Sequence, residues 1–312
     1  MAKQALDVAS SEIKANFDQI YTQDDPREYF RVLHGLDYII PGLARPVFRR
    51  ICDTLTELRG RPINILDVGC SYGINAALLR APLSMGRLAA RYADLQASGV
   101  SSTEVMALDR RYFGSWPRVT SARFTGLDIS EPAITYATNS GILDRGFAED
   151  LENNEPSARL RDALADIDLV ISTGCIGYVS EKTFSRVMGA IRTRNPWVAS
   201  FVLRLYPFAP IGEVLTERSL ATEKLESVTF VQRRFHSERE YADTLEALRG
   251  QGVDPRGKEE DGLLHAEFFL SRPSSERERM PLEGLVSVTS GARHPFGPRF
   301  KHHADDEVRL MR

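Results

Sequence analysis

Cysteine is scarce in this chain of 312 residues, which holds only Cys52, Cys70 and Cys175. Their spacing fits neither a zinc site nor a disulfide framework, so a thiolate metal centre and a disulfide-stapled secreted scaffold are both excluded. A reducing cytoplasm is the expected compartment. Long apolar runs are also missing. None approaches the ~20 residues a membrane-spanning helix needs, and the N-terminal stretch MAKQALDVASSEIKANF has no apolar core of the kind a secretory signal carries. Nor is there an excess of one charge. Forty Lys and Arg face 43 Asp and Glu, a net −3, which gives no bulk attraction to nucleic acid. No internal repeat is present. What remains, 42% hydrophobic and 27% charged residues, is the composition of an ordinary globular protein.

Residues 63–80, INILDVGCSYGINAALLR, carry the most information. Ile63, Ile65, Leu66 and Val68 read as a short buried strand, the run from Asp67 to Gly73 as a small-residue turn, and Ala76 to Leu79 as the start of a helix. Strand, tight turn and helix in that order present backbone to a ligand at the carboxyl end of a doubly wound sheet. A dinucleotide fingerprint requires glycines at i, i+2 and i+5, whereas Gly69 is followed by Ser71, Gly73 and Ile74 at i+2, i+4 and i+5. A phosphate-binding loop requires Gly-Lys-Ser/Thr, and no Lys is present.

The remaining pattern, Asp-x-Gly-x-Ser-x-Gly, resembles motif I of the class I S-adenosylmethionine (SAM) methyltransferases, with Ser71 in place of the central glycine. The resemblance continues in order along the chain over roughly residues 60–273. Residues 120–129 (TSARFTGLDI) would be the second strand, 145–151 (RGFAEDL) the third, 166–174 (DIDLVISTG) the fourth, 197–205 (WVASFVLRL) the fifth and 262–270 (GLLHAEFFL) the last. It implies a Rossmann-like α/β fold with a seven-stranded, mostly parallel sheet and a final antiparallel strand. It also implies SAM as cofactor. Asn/Asp-Pro-Pro-Tyr, the form used on exocyclic base nitrogens, is absent after the fourth strand, where TGCIGY stands instead. That turns the expected acceptor away from DNA bases and towards a small molecule.

Three additions surround this core. Residues 1–60 should be a helical lid region: Phe17, Ile20 and Tyr21 fall at helical spacing, as do Phe30, Leu33 and Leu36, with Pro41 and Pro46 breaking the segment before a helix over 47–59. An insertion at about 82–119 should supply two helices around a loop at 99–102. It would cap a site or build a dimer surface. After the fifth strand, 211–220 reads as a short helix, 228–235 as a strand and 238–248 as a helix. Residues 274–312, rich in Pro, Gly, Ser and charge, are expected to form a loosely packed tail that holds His294, His302 and His303.

The resemblance assigns cofactor contacts to Asp67, Gly69, Cys70, Ser71 and Gly73 around the first turn. It gives Asp128 to the ribose hydroxyls, since a carboxylate offers several lone pairs and no donor, with Ile129 beside it. Asp128 has a structural alternative, a helix N-cap, although Ser130 can take that place. Glu149 and Asp150 would meet the adenine amino group or else form a solvated acidic turn. Thr173 and Gly174 would border the reacting centre. Cys175 reads as a buried apolar residue rather than a nucleophile. Candidate acid–base groups are His34, His236 and Tyr178, whereas His265 on the last strand reads as structural. Tyr21, Tyr29, Phe30 and Tyr38 either face the ligands or pack helix on helix. No metal site is expected.

The function these features imply is SAM-dependent methylation of a small molecule, with specialised-metabolite biosynthesis as the natural setting. A homodimer or another biosynthetic subunit would be the protein partner. The alternative from another class is an enzyme that keeps the SAM pocket for cyclisation, elimination or hydrolysis.

Overall fold

The computed structural model describes residues 17–193, 195–226, 228–286, 300–302 and 308–310. Chain order begins with three helices, α1 (Asp18–Tyr21), α2 (Arg27–Gly35) and α3 (Ile40–Arg59). Then come β1 (Asn64–Val68), α4 (Ile74–Arg80), α5 (Met85–Ala97), α6 (Ser102–Ser115), β2 (Arg123–Asp128), α7 (Glu131–Asn139) and β3 (Arg145–Ala148). These are followed by α8 (Ala158–Leu164), β4 (Leu169–Thr173), α9 (Glu181–Ala190), β5 (Trp197–Leu203) and α10 (Ala209–Glu217). The series continues with β6 (Leu220–Lys224), β7 (Phe230–Arg234), α11 (Glu238–Gly250), β8 (Leu263–Pro273), α12 (Ser274–Arg279), α13 (Leu282–Leu285), β9 (Phe300–His302) and β10 (Val308–Leu310).

Strands alternate with helices, and the central strands are apolar on both faces, as a parallel sheet covered by helices requires. The period of two sorts their side chains into two cores. Ile65, Leu169, Ile171, Trp197, Ala199 and Phe201 face the core built with α3. Leu66, Val68, Val170, Val198 and Val202 face the other. The order is β3-β2-β1-β4-β5-β8-β6, with β7 also on β8. Strands β1 to β5 pair in parallel, and β8 runs antiparallel to β5. The direction of winding reverses between β1 and β4, which is where a doubly wound sheet opens a crevice for ligands.

The sheet counts eight strands where seven were expected, because its outer position is split. Strand β6 covers one half of β8, from Phe269 to Pro273, and β7 the other, from Leu263 to Ala266. Strand β7 carries a register shift between Val231 and Arg233.

Two other expectations are corrected. Pro46 does not break the third helix, which runs unbroken from Ile40 to Arg59. Pro46 lies on its exposed face, so the Gly42 carbonyl it leaves without an N–H is not sealed in the core. Leu43, Ala44, Val47, Phe48 and Ile51 hold the buried face. The start of the expected loose tail is docked. Glu276 accepts a hydrogen bond from Trp197 Nε1 at 2.5 Å and pairs with Arg59 at 3.0 Å, and Leu282, Leu285 and Val286 are buried. Strands β9 and β10 pair with each other. His294 and His303 lie outside the described residues, as do residues 1–16.

The insertion forms the two expected helices, α5 and α6, the latter begun by a full Ser101/Glu104 capping box. It buttresses α2: Tyr92 of α5 stacks on Phe30 at 4.6 Å. Behind that stack, the fully buried Asp109 accepts from Arg91 (2.7 Å), Tyr92 (3.1 Å) and Tyr136 (2.5 Å). No residue of α5 or α6 lines the main cavity.

Candidate active site

The carboxyl ends of β1, β2 and β4 meet α1, α2 and β7 around a cavity of about 530 Å³, within the usual size of small-molecule sites. At its floor is the turn after β1. Gly69, Ser71 and Gly73 all have positive φ, at +67°, +49° and +77°. Gly69 is required by close packing as well as by φ. A Cβ there would lie 2.4 Å from the Cβ of Cys175, so the β1 turn and the β4 turn touch through this glycine.

The backbone N–H groups of this turn are largely engaged within the protein. Those of Gly69 and Cys70 donate to the Leu127 carbonyl at 2.8 and 3.3 Å, and that of Gly73 to Cys70 at 2.9 Å. The Ser71 N–H donates to Asp128 Oδ2 at 2.8 Å, and the Ser130 N–H to Asp128 Oδ1 at 3.0 Å. Asp128 therefore fixes the β1 turn to the β2 turn. Ser130 does cap α7 as expected, but that does not leave Asp128 free. Its remaining lone pairs are what the carboxylate offers the cavity that it lines. Burial raises its pKa, against which the amide donors act.

Two buried oxygens near this turn have no partner, Asp67 Oδ2 and Ser71 Oγ. Ser71 lines the cavity. Asp67 sits behind it, fully buried, its Oδ1 held at 3.1 Å by Asn75 Nδ2, which also reaches Thr173 Oγ1 at 3.0 Å. Burial pushes the Asp67 carboxyl up to about 7, the Asn75 hydrogen bond opposing the shift. Unpartnered buried polar atoms are uncommon in native proteins and mark places where a ligand or water completes the bonding. Asp67 bonds none of the turn amides. Asp128 accepts the Ser71 N–H instead.

Cys70, Ile129, Glu149, Asp150, Thr173 and Gly174 also line the cavity, whereas Gly73 and Asp67 do not. Ile129 is 71% exposed, an apolar surface at the rim. The carboxylates of Glu149 and Asp150 are already engaged with their neighbours. Glu149 accepts from the Ser157 N–H and hydroxyl at 2.9 and 2.6 Å, and Asp150 accepts from the Glu152 N–H and Asn153 Nδ2 at 2.9 and 2.7 Å. Cys175 is buried, its thiol donating to the Val68 carbonyl at 3.2 Å.

The opposite wall is aromatic. Phe17, Tyr21, Tyr29 and Tyr38 line it with Tyr178, which is 46% exposed. Burial lifts the Tyr21, Tyr29 and Tyr38 phenols above their ordinary range. This wall is tied to the first turn. Tyr72 Oη donates to the Ile20 and Gln23 carbonyls, each at 2.9 Å, and Ser130 Oγ to the Tyr21 carbonyl at 2.5 Å. Phe30, grouped with these aromatics in the sequence, faces Tyr92 instead.

The candidate histidines are not in this cavity. His34 is exposed and borders a separate small cleft. His236 is exposed, edge-on to Phe17 at 5.5 Å. His265 is buried beside Thr229, its pKa lowered by burial to about 3. Of the three acid–base candidates only Tyr178 reaches the cavity. Sequence reasoning missed Asn75, Gln232 and Arg233, all of which line it. Arg233 is buried in a bidentate pair with Glu240, at 2.9 and 2.5 Å, and its guanidinium lies over Phe17 at 5.0 Å. The one signal for Gln232 and Arg233 was the run of three polar residues, Gln232 to Arg234, that follows Phe230 and Val231 in β7.

No family model matches the chain, and no curated protein matches it. Solved structures with a similar fold include the plantazolicin methyltransferase BpumL in complex with S-adenosylhomocysteine (SAH), 13% identical over 86% of this chain and 97% of that one, TM-score 0.43. Magnesium protoporphyrin IX methyltransferase (ChlM) from Synechocystis PCC 6803, with bound SAM, is 12% identical over 74% and 80%, TM-score 0.37. Geranyl diphosphate C-methyltransferase from Streptomyces coelicolor A3(2) is 10% identical over 71% and 74%, TM-score 0.35. At these scores the functional reading rests on the chain's own topology and cavity. Among the described residues no helix is long and apolar enough to cross a membrane.

Proposed function

We propose that the protein is a SAM-dependent methyltransferase acting on a small molecule. The observation that supports this best is the pair of unpartnered buried oxygens, Asp67 Oδ2 and Ser71 Oγ, at the carboxyl end of β1. They stand where the sheet's winding reverses, next to a strand-end Asp128. Such a place suits a ligand that brings an ammonium and hydrogen-bond donors to one end and a diol to the next. The residues fit SAM in that sense. Ser71 would serve the amino-acid end, with Asp67 reaching it from behind the cavity wall through a water, Asp128 the ribose, and the exposed face of Ile129 the adenine.

When bound, SAM supplies a methyl group already activated by a positive sulfur. The protein's part is then to hold the acceptor in line, exclude water and settle the proton balance. The aromatic wall of Tyr21, Tyr29 and Tyr38 excludes water. These phenols keep their protons at neutral pH, so they donate hydrogen bonds rather than act as bases.

Titration calorimetry with SAH and native mass spectrometry of the purified protein test the assignment. Micromolar binding, or co-purified SAM or SAH, is the expected result. Absence of binding at millimolar SAH, with the protein folded, would remove it. Accumulation of SAH during turnover distinguishes methyl transfer from cyclisation, elimination or hydrolysis in the same pocket.

A further inference from the structure

Strand β7 pairs with β8 through Val231 opposite His265 and then Arg233 opposite Leu264, so Gln232 is the extra residue of a bulge. Bulges beside sites re-aim a side chain, and Gln232 is aimed into the cavity. It is 3% exposed, and its Oε1 has no hydrogen-bond partner. Its backbone carbonyl is used elsewhere, accepting the Ile39 N–H at 3.0 Å, which pins the bulge to the start of α3. The amide covers the end of β4. A Cβ on Gly174 would lie 3.0 Å from Nε2 and 3.2 Å from Oε1.

The surroundings limit what that oxygen waits for. Arg233, the next residue, has its charge balanced by Glu240. The facing wall is Tyr21, Tyr29 and Tyr38, neutral phenols with flat apolar faces. Among the described residues no histidine or lysine lines the cavity, and the carboxylates of Glu149, Asp150 and Glu152 are bonded to neighbouring donors. A lone buried carbonyl oxygen in a cavity that also has an aromatic wall suits a neutral planar group that presents one N–H or O–H.

We infer that Gln232 determines acceptor specificity, its Oε1 accepting a hydrogen bond from an N–H or O–H on a neutral aromatic acceptor held between the tyrosines. The placing of this subsite beside the cofactor rests on the function proposed above. The acceptor class rests on the bulge, the unpartnered oxygen and the wall. A site built to bond a substrate hydroxyl rejects the analogue that lacks it, because the protein's buried group is then left unpaired.

The test uses phenol, aniline and toluene as probes on the whole protein, by ligand-observed NMR with and without saturating SAH. Phenol and toluene have nearly the same shape, and water favours transfer of toluene into an apolar site, so bulk hydrophobicity opposes the expected order. Wild type should bind phenol and aniline about tenfold tighter than toluene. Gln232→Met, which keeps the length and loses the acceptor, should bring that ratio to about one or below while SAH affinity is unchanged. Gln232→Glu, which keeps an acceptor oxygen, should retain it. Toluene binding as tightly as phenol to wild type would overturn the inference. So would an unchanged ratio in the Met variant, or a loss of SAH affinity there with the fold intact, which would give the oxygen to the cofactor. If the Met variant does not fold, the wild-type ratio and the Glu variant decide. If SAH fails to bind wild type, the cofactor assignment falls, and the ratio measured without SAH still judges Gln232.

Discussion

Cofactor affinity should depend on pH through Asp67. This carboxyl is fully buried with one hydrogen bond, from Asn75, and one unpartnered oxygen. Burial moves it from 3.8 to about 7, which corresponds to about 4 kcal/mol against its charged form. The sign follows from linkage. A carboxyl raised in the folded state lends stability that is full below its unfolded pKa and is lost as pH rises through the folded value. The ligand-free protein should therefore become less stable between about pH 4 and 7.

An ammonium in the cavity, linked to the unpartnered Asp67 Oδ2 through a water, reverses that preference, because it stabilises the carboxylate. At pH 5.5 only a few per cent of Asp67 is ionised in the free protein, and at pH 8 most of it is. SAH should thus bind about 30-fold more weakly at pH 5.5 than at pH 8, a difference of about 2 kcal/mol. Calorimetry at several pH values, repeated in two buffers of different ionisation enthalpy, measures both the affinity and the proton released. Asp128 is also raised by burial, so Asp67→Asn is the control: its profile should flatten while any contribution of Asp128 stays. Equal affinity at pH 5.5 and 8 in wild type, with no proton released, would refute the pairing of Asp67 with the ligand.

Replacing Asp128 with Ala should weaken SAH by ~1–3 kcal/mol and also lower stability, since the Ser71 and Ser130 N–H groups lose their acceptor; equal calorimetric affinity for both proteins would take Asp128 out of the site. Gly69→Ala should cost more than ~2 kcal/mol, because the left-handed backbone strains any side chain and the new Cβ meets Cys175. A change under ~0.5 kcal/mol in denaturant unfolding would contradict that packing. Tyr72→Phe removes both bonds that clamp residues 20–23, so amide exchange over residues 17–23 should accelerate without ligand. SAH should slow exchange at residues 17–40 together with residues 69–73. Protection confined to 69–73 would leave the proposed cofactor site standing and remove the lid.

The sheet was legible because its strands alternate between two apolar faces, so Ile65 and Leu66, or Val170 and Ile171, announce a buried parallel strand by themselves. Strand β6 was not. It is a half-buried edge segment, LATEK, whose extended form is fixed by pairing with β8. Helix α3 hid behind Pro46, which falls on the exposed face, while Leu43, Val47, Phe48 and Ile51 bury the other face and hold the helix together. The docking of α12 depends on Trp197 and Arg59, partners 79 and 217 residues away in sequence, which no local pattern reveals. In the site, Gly69 and Ser71 were legible as a turn, but not the destination of its amides. That Leu127 and Asp128 accept them follows from how β2 lies beside β1. The histidines misled because residue type suggests chemistry while only position decides which cavity a ring enters. Gln232 escaped because a bulge changes the inward parity of a strand by one residue.

The cavity's proton inventory limits how it could help the proposed methyl transfer. Tyr21, Tyr29 and Tyr38 hold their protons tightly, Arg233 is balanced by Glu240, and the carboxylates of Asp128, Glu149, Asp150 and Glu152 are bonded to amides or side chains. No histidine lines it, and a proton relay through His34 or His236 would have to cross the α2 or Phe17 packing. Asp67, raised to about 7, lies behind the cavity wall. The described residues that line the cavity therefore supply orientation and dryness rather than a base of matched pKa. Those are the larger contributions in a displacement at an already activated methyl, where alignment of the reacting atoms can stand for about 7–11 kcal/mol. The acceptor must then either lose its proton before it enters or release it afterwards through the rim, where Tyr178 is half exposed. A donor hydrogen held by Gln232 Oε1 fits the second course. It fixes the acceptor's orientation during transfer without asking the amide to take the proton, which an amide oxygen cannot do at neutral pH. On the proposed function, orientation by Gln232 and ionisation of Asp67 would be separate controls, one on which acceptor is held and the other on how tightly the cofactor is held as pH changes.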